Sequence, residues 1–223
     1  KYIAEQEKRT AELKAEQELF KKIKSKILKS KGPHIGVVLA GSVARNTHLH
    51  GDKDLDVFVF YPTSLAREKF EKAGLLLAHS VFGKNFHEEA YSEHPYVRGI
   101  IDGFDVEIVP AYKVNKASEK LSAVDRTPFH AEYMRKHLSE IQQRDVRLLK
   151  QFLKGIEVYG ADVKMQGVPG YLVEILILHY GSFVSALENM ANWKIPTILD
   201  QGNHHENPNH AKGLFPNAFL LFL

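Results

Sequence analysis

A chain of 223 residues with 44% hydrophobic content is long enough for one large domain or two small ones with ordinary cores. It has no cysteine, which excludes disulfides and thiolate metal sites, and its net charge of +3 is compatible with an anionic partner without identifying one. The longest apolar run, GYLVEILILHYGSFV, is interrupted by Glu174 and His179 and is too short and too polar for a membrane span; no signal peptide is visible, so the expectation is a cytoplasmic protein without a membrane partner.

Residues 3–30 read as one helix, with Leu13, Phe20, Ile23 and Ile27 on its period and Gly32-Pro33 ending it. Its second half carries Lys21, Lys22, Lys24, Lys26, Lys29 and Lys31 with no acid among them, a solvated face first and a polyanion footprint second. HIGVVLAG (34–41) reads as a buried strand, and DLDVFVFYP as another, bounded by Pro62. Residues 65–82 have helical spacing. YVRGII and FDVEIV flank Asp102-Gly103, a two-residue hairpin turn. After about residue 127 the pattern is helical, with no strong strand signal. The expected fold class is therefore α+β: a mixed β-sheet flanked by helices over residues 1–139, then a mainly helical domain over 140–223. HHENPNH (204–210) has three histidines at irregular spacing, too weak a pattern to predict a zinc site.

The chemistry concentrates in GSVARNTHLHGDKDLDVFVFYP (41–62). Side chains alternate along a strand, so Asp54 and Asp56 share a face, with Cβ atoms about 6.5–7 Å apart. Leu55, Val57 and Val59 take the other face. Two carboxylates that close repel each other unless a cation sits between them. Carboxylates so placed can converge on one or two Mg²⁺ ions, the arrangement that serves phosphoryl and nucleotidyl transfer. A third acid from a neighbouring strand is then expected, and FDVEIVP offers Asp105 and Glu107 on one face. Gly41-Ser42, where a strand turns into a helix, exposes backbone N–H groups and a hydroxyl that can hold phosphate, and Arg45 adds a bidentate donor. Thr127-Pro128 reads as an N-cap followed by the first helical position, which puts His130 in a first helical turn. From the residues alone Lys150 is an exposed helix lysine, and Tyr159, before Gly160 at a helix end, is as well explained by an aromatic anchor as by a nucleotide contact.

This stretch, followed by VEIVPAYKV, SAVDRTPFHAEY, RLLKQFLK, VYGAD and GYLVEILILHYGSF, resembles the archaeal, class I CCA-adding enzymes of the polymerase-beta-like nucleotidyltransferase superfamily. The resemblance runs from about residue 35 to about 190. It implies a nucleotidyltransferase head followed by a helical neck, with further tRNA-binding body and tail domains beyond. It implies Mg²⁺ in a two-metal site, CTP and ATP as substrates, and the tRNA acceptor end as partner; the sequence also allows a homodimer. On the resemblance, Asp54, Asp56 and Glu107 are the metal carboxylates. Gly41, Ser42 and Arg45 hold the triphosphate, and Thr127, His130, Lys150 and Tyr159 contact the incoming nucleotide. Two features depart from the family. Glu107 stands where Asp is usual, which leaves Asp105 as an alternative third ligand. The base-reading arginine expected near 207–218 is not found in NPNHAKGLFPNA. Another terminal transferase, adding poly(A) or oligoadenylate, and a binding module of the same fold remain the alternatives.

Overall fold

The computed structural model describes residues 2–52, 54–160, 167–194, 197–199 and 220–222. They divide into two compact units, Lys1–Leu138 and Ser139–Leu223.

The first unit opens with α1 (Tyr2–Lys29), whose buried stripe of Leu19, Ile23 and Ile27 follows the helical period. Four further strands and a helix follow β1 (Gly36–Leu39) and the single helical turn α2 (Gly41–Ala44): β2 (Asp54–Tyr61), α3 (Arg67–Phe82), β3 (His87–Tyr91), β4 (Pro95–Ile101) and β5 (Phe104–Tyr112). The sheet order is β1-β2-β5-β4-β3. The central β2–β5 pair is parallel and the other pairs are antiparallel. The expected hairpin turn at Asp102-Gly103 joins β4 to β5. Period-two alternation sorts the side chains. Leu55, Val57, Val59, Val97, Val106 and Ile108 are buried in one core with Ile23 and Ile27 of α1 and Phe70, Leu77, Val81 and Phe82 of α3. On the opposite face Phe58, Phe60 and Val109 form a smaller cluster that covers only part of the sheet. β3 was not anticipated. Its HEEAY sequence lies on an edge, where polar residues mask the alternation.

A short 3₁₀ turn, Ala123–Arg126, leads into α4 (Thr127–His137), which closes this unit. In the second unit, α5 (Glu140–Gly155) starts from a capping box of Ser139 and Gln142. α6 (Gly170–Tyr180) and α7 (Phe183–Met190) pack with it. β6 (Thr197–Leu199) and β7 (Leu220–Phe222) form a small parallel pair that the sequence did not reveal. Among the described residues no single helix is long and apolar enough to cross a membrane. HHENPNH and the stretch 207–218 lie outside the described residues.

Candidate active site

Strand register assembles the acids. On the parallel pair Asp54 stands opposite Asp105, and Asp56 opposite Glu107. The antiparallel ladders extend both rows, placing Arg98 and then Glu88 beyond Glu107, and Ile100 beyond Asp105. These side chains, with Ser42 and Phe86, line one cavity of about 490 Å³. A second hollow of about 240 Å³ shares Asp56 and Glu107 and adds Gly41, Tyr96 and Thr127. A more apolar hollow of about 390 Å³ lies toward the other end of β2, against α4, lined by Val38, Phe60 and Phe129 among others. It contains none of these paired acids, so chemistry rather than apolar lining locates the candidate site.

Charge is crowded here. Burial, and then the neighbouring Asp54, push the Asp56 carboxyl up, with Arg45 partly opposing them. Burial, then Asp56, push Glu107 up to about 7, against the pull of Arg98. The donor set is all oxygen, which hard divalent cations prefer. Among the described residues no three acid or imidazole groups converge as a closed metal cage.

Gly41 is required twice. Its φ of 65° is left-handed, and a Cβ there would stand 1.6 Å from Asp56 Oδ2. The backbone N–H of Ala40 donates to the Asp56 carbonyl at 2.8 Å, so the Gly-Ser turn is pinned against the acid itself. Arg45 is buried at 8% exposure and close enough to Asp56 and His130 to lower the pKa of both, so in this structure it acts first as a countercharge. The polar loop between Gly-Ser and Asp54 is tied to α1. Glu12 accepts from Gly51 N–H and pairs with His50, while Glu16 pairs with His48 in a fully buried contact.

Thr127 is the first residue of α4 and not its cap. The capping box sits earlier, on Ser122 and Asp125, because the 3₁₀ turn runs straight into the helix. Buried Asp125 accepts from the backbone N–H groups of Tyr112, Leu121 and Ser122 at 2.8, 2.9 and 2.7 Å, fixing the end of β5 to the turn that carries Thr127. Sequence reasoning missed this residue; its place three after Ser122 was the available signal. His130 is half-buried in the first turn of α4, its pKa lowered by burial and then by Arg126 and Arg45. In the second unit Lys150 is not the exposed lysine that its residues alone suggested. It is 2% exposed, on the same side of α5 as Val146, Leu149 and Leu153, with Glu174 Oε1 3.9 Å from its Nζ. Tyr159 lies past the end of α5, in a bridge with Val168. Both approach Gly170, where an added Cβ would stand 2.9 Å from the Tyr159 hydroxyl and 3.5 Å from Lys150 Nζ.

A mixed sheet with paired acids beside a Gly-Ser turn defines a nucleotidyltransferase, and residues 21–130 match the family model described as a nucleotidyltransferase domain. Residues 144–217 match a second model, that of the tRNA nucleotidyltransferase second domain. The chain is 47% identical over 170 residues to the CCA-adding enzyme of Halobacterium salinarum, covering 76% of this chain and 37% of that protein. It is 42% identical over 180 residues to that of Methanocaldococcus jannaschii, covering 80% of this chain and 40% of that protein. The chain thus belongs to the archaeal CCA-adding enzyme family of tRNA nucleotidyltransferases, and spans well under half the length of these relatives. Among solved structures, E. coli MS115-1 CdnC in complex with HORMA-deltaN has a TM-score of 0.60 at 14% identity, covering 91% of this chain and 72% of that one. Cid1 poly(U) polymerase has a TM-score of 0.56 at 14% identity, covering 76% and 49%. These two likenesses are of fold.

Proposed function

We propose that this chain transfers CMP and then AMP from CTP and ATP to the 3′ end of tRNA, without a nucleic-acid template, releasing pyrophosphate. One observation carries the reading: the parallel register that sets Glu107 opposite Asp56, with Asp54 two residues before it and the Gly41-Ser42 turn packed on the Asp56 carboxylate. Residues 1–139 form the catalytic domain and 140–223 a helical neck domain. Asp54, Asp56 and Glu107 would hold Mg²⁺, which when bound neutralises charge on the phosphates and activates the attacking hydroxyl. The Gly41-Ser42 turn orients the triphosphate through its backbone N–H groups and the Ser42 hydroxyl. Arg45, largely buried, balances Asp56 and keeps the turn in place. Thr127, His130, Lys150 and Tyr159 are assigned to the phosphates and sugar of the incoming nucleotide on the family resemblance.

The test is to supply CTP, ATP and Mg²⁺ with tRNA lacking its CCA, to follow pyrophosphate, and to sequence the product. Ordered addition of C, C and A is the expected result. Extension with ATP alone would make the chain another terminal transferase, and absence of pyrophosphate would make it a binding module.

A further inference from the structure

The larger cavity has two halves of different chemistry. One half is the acids and Ser42. The other is the outer floor of β3 and β4, formed by Phe86, Glu88, Arg98 and Ile100. Phe86 and Ile100 are large apolar side chains left 71% and 46% exposed beside a cluster of carboxylates. Their placement is built into the backbone. The Ile100 N–H donates to the Phe86 carbonyl at 3.0 Å, and a Cβ at Gly99 would stand 2.3 Å from that same oxygen, so only glycine lets the entry to β3 lie this tightly over β4.

Resting on the nucleotidyl-transfer reading, we infer that this floor seats the last nucleotide of the RNA strand being extended, with Phe86 and Ile100 under its base and Arg98 on its 5′ phosphate. Transfer needs a second substrate whose 3′ hydroxyl reaches the acids. An aromatic face is what an unpaired base stacks on, whatever its identity. Arg98 is one strand from Glu107 and two from Asp56, roughly 5 and 10 Å along the row at ordinary strand spacing. A single nucleotide joins a 3′ hydroxyl to a phosphate across a span of that kind. Arg98 donates through Nε and Nη2 to the same oxygen of Glu88, at 2.8 and 2.7 Å, and its side chain remains 54% exposed. Such an exposed pair is weak and exchanges readily for a phosphate, which a guanidinium binds with two parallel donors.

The test is binding of a short fluorescent single-stranded RNA with a free 3′ hydroxyl, and separately of CTP with Mg²⁺, to the wild-type chain and to Phe86→Ala, Phe86→Trp, Arg98→Ala and Arg98→Lys. Phe86→Ala is expected to weaken RNA binding roughly tenfold and Phe86→Trp to preserve it. Arg98→Ala is expected to reduce the slope of log Kd against log salt by roughly 0.7, with Arg98→Lys restoring it. CTP affinity stays at the wild-type value in both Phe86 variants and in Arg98→Lys, which keeps the positive charge beside Glu107. Loss of CTP affinity in these three instead would assign the floor to the incoming nucleotide and overturn the proposal. Unchanged RNA and CTP binding in all four variants would overturn it in favour of a face covered by polypeptide. Pyrophosphate release by the wild type separates the two levels: with release intact and RNA binding unmoved by the variants, only this inference falls. A wild type that binds neither CTP nor RNA overturns both.

Discussion

Asp56 is held against its own preference: burial and Asp54 both disfavour its charge, and Arg45 only partly offsets them. Asp56→Asn is therefore expected to abolish turnover while raising the metal-free Tm by about 2–4 °C, the shift that about 1 kcal/mol gives in a chain of this size. Near-normal turnover would remove Asp56 from the site. Register also separates the candidates for third acid. Glu107 shares a row with Asp56, whereas Asp105 is exposed and lies in the neighbouring row, between Asp54 and Ile100. Glu107→Ala is expected to be as damaging as Asp56→Asn, and Asp105→Ala much milder; parallel assays of pyrophosphate release would reverse the assignment if the two exchanged places. The histidines titrate against the fold. His94 and His130 both sit below the ordinary value of 6.5, mainly through burial, so the unfolded chain takes up a proton first as pH falls. Their neutral forms contribute stability that is fully present above about pH 6.5 and drains away below it. The acids of the site pull the other way, so the measurement is a difference. Urea midpoints of wild type and His94→Gln between pH 7.5 and 5 are expected to show the wild type losing relatively more toward acid; parallel curves would refute the histidine's part. The pair of acids on β2 was legible from period two alone. Arg98, Phe86 and Asp125 were not, because their importance lies in what stands across a strand or turn from them.

At the scale of elements, the turn between β1 and α2 sets the geometry of the site. Gly41→Ala combines a left-handed φ with a Cβ inside the Asp56 carboxylate. The conformational part costs about 1–3 kcal/mol. Displacing Asp56 by the ångström or more that the new atom demands is expected to lower turnover by about 100-fold or more. Stability from denaturant melts and single-turnover rates check the two parts separately, and an active Gly41→Ala would show that the turn and the acid are not coupled. Most elements could be read in advance because their patterns are self-contained. The alternation of β2, the periodicity of α3 and α5 and the Asp102-Gly103 turn each fit in a short window. β3 escaped because its edge position lets both faces be polar, and β6 and β7 because three-residue strands hold too little alternation to register. The parallel pairing of β2 with β5 was beyond any local pattern, although it decides which acid meets which.

For the whole molecule, the first unit brings the acids, the Gly-Ser turn, Thr127 and His130 into one compact body, while the chain spans 37% of the length of a relative such as the Halobacterium enzyme. We expect calorimetry to show CTP and ATP binding in the presence of Mg²⁺. tRNA is expected to bind weakly and with strong salt dependence, with Kd of about 10⁻⁴–10⁻⁶ M at physiological salt, since phosphate contacts alone give no more. Tight tRNA binding that survives high salt would place the main recognition surface within these residues. The fold class was readable from the order of patterns, and the chemistry from one motif plus a later acid. Selection between C and A, which the proposed function requires, was not, because the base-reading arginine expected near 207–218 has no counterpart in NPNHAKGLFPNA. The parallel ladder has one more consequence, for synthesis. Glu107 is about fifty residues downstream of Asp56, and the two meet only when α3, β3 and β4 have been made and folded into the gap between them. A pairing of such long range forms slowly and late. On the ribosome, where about 5–20 residues emerge each second, the newborn chain passes several seconds with its Gly-Ser turn and first two acids already out but no third acid to meet them. On the proposed assignment a chain interrupted anywhere in that interval lacks its third acid, and the chemistry would be switched on by the same event that closes the sheet.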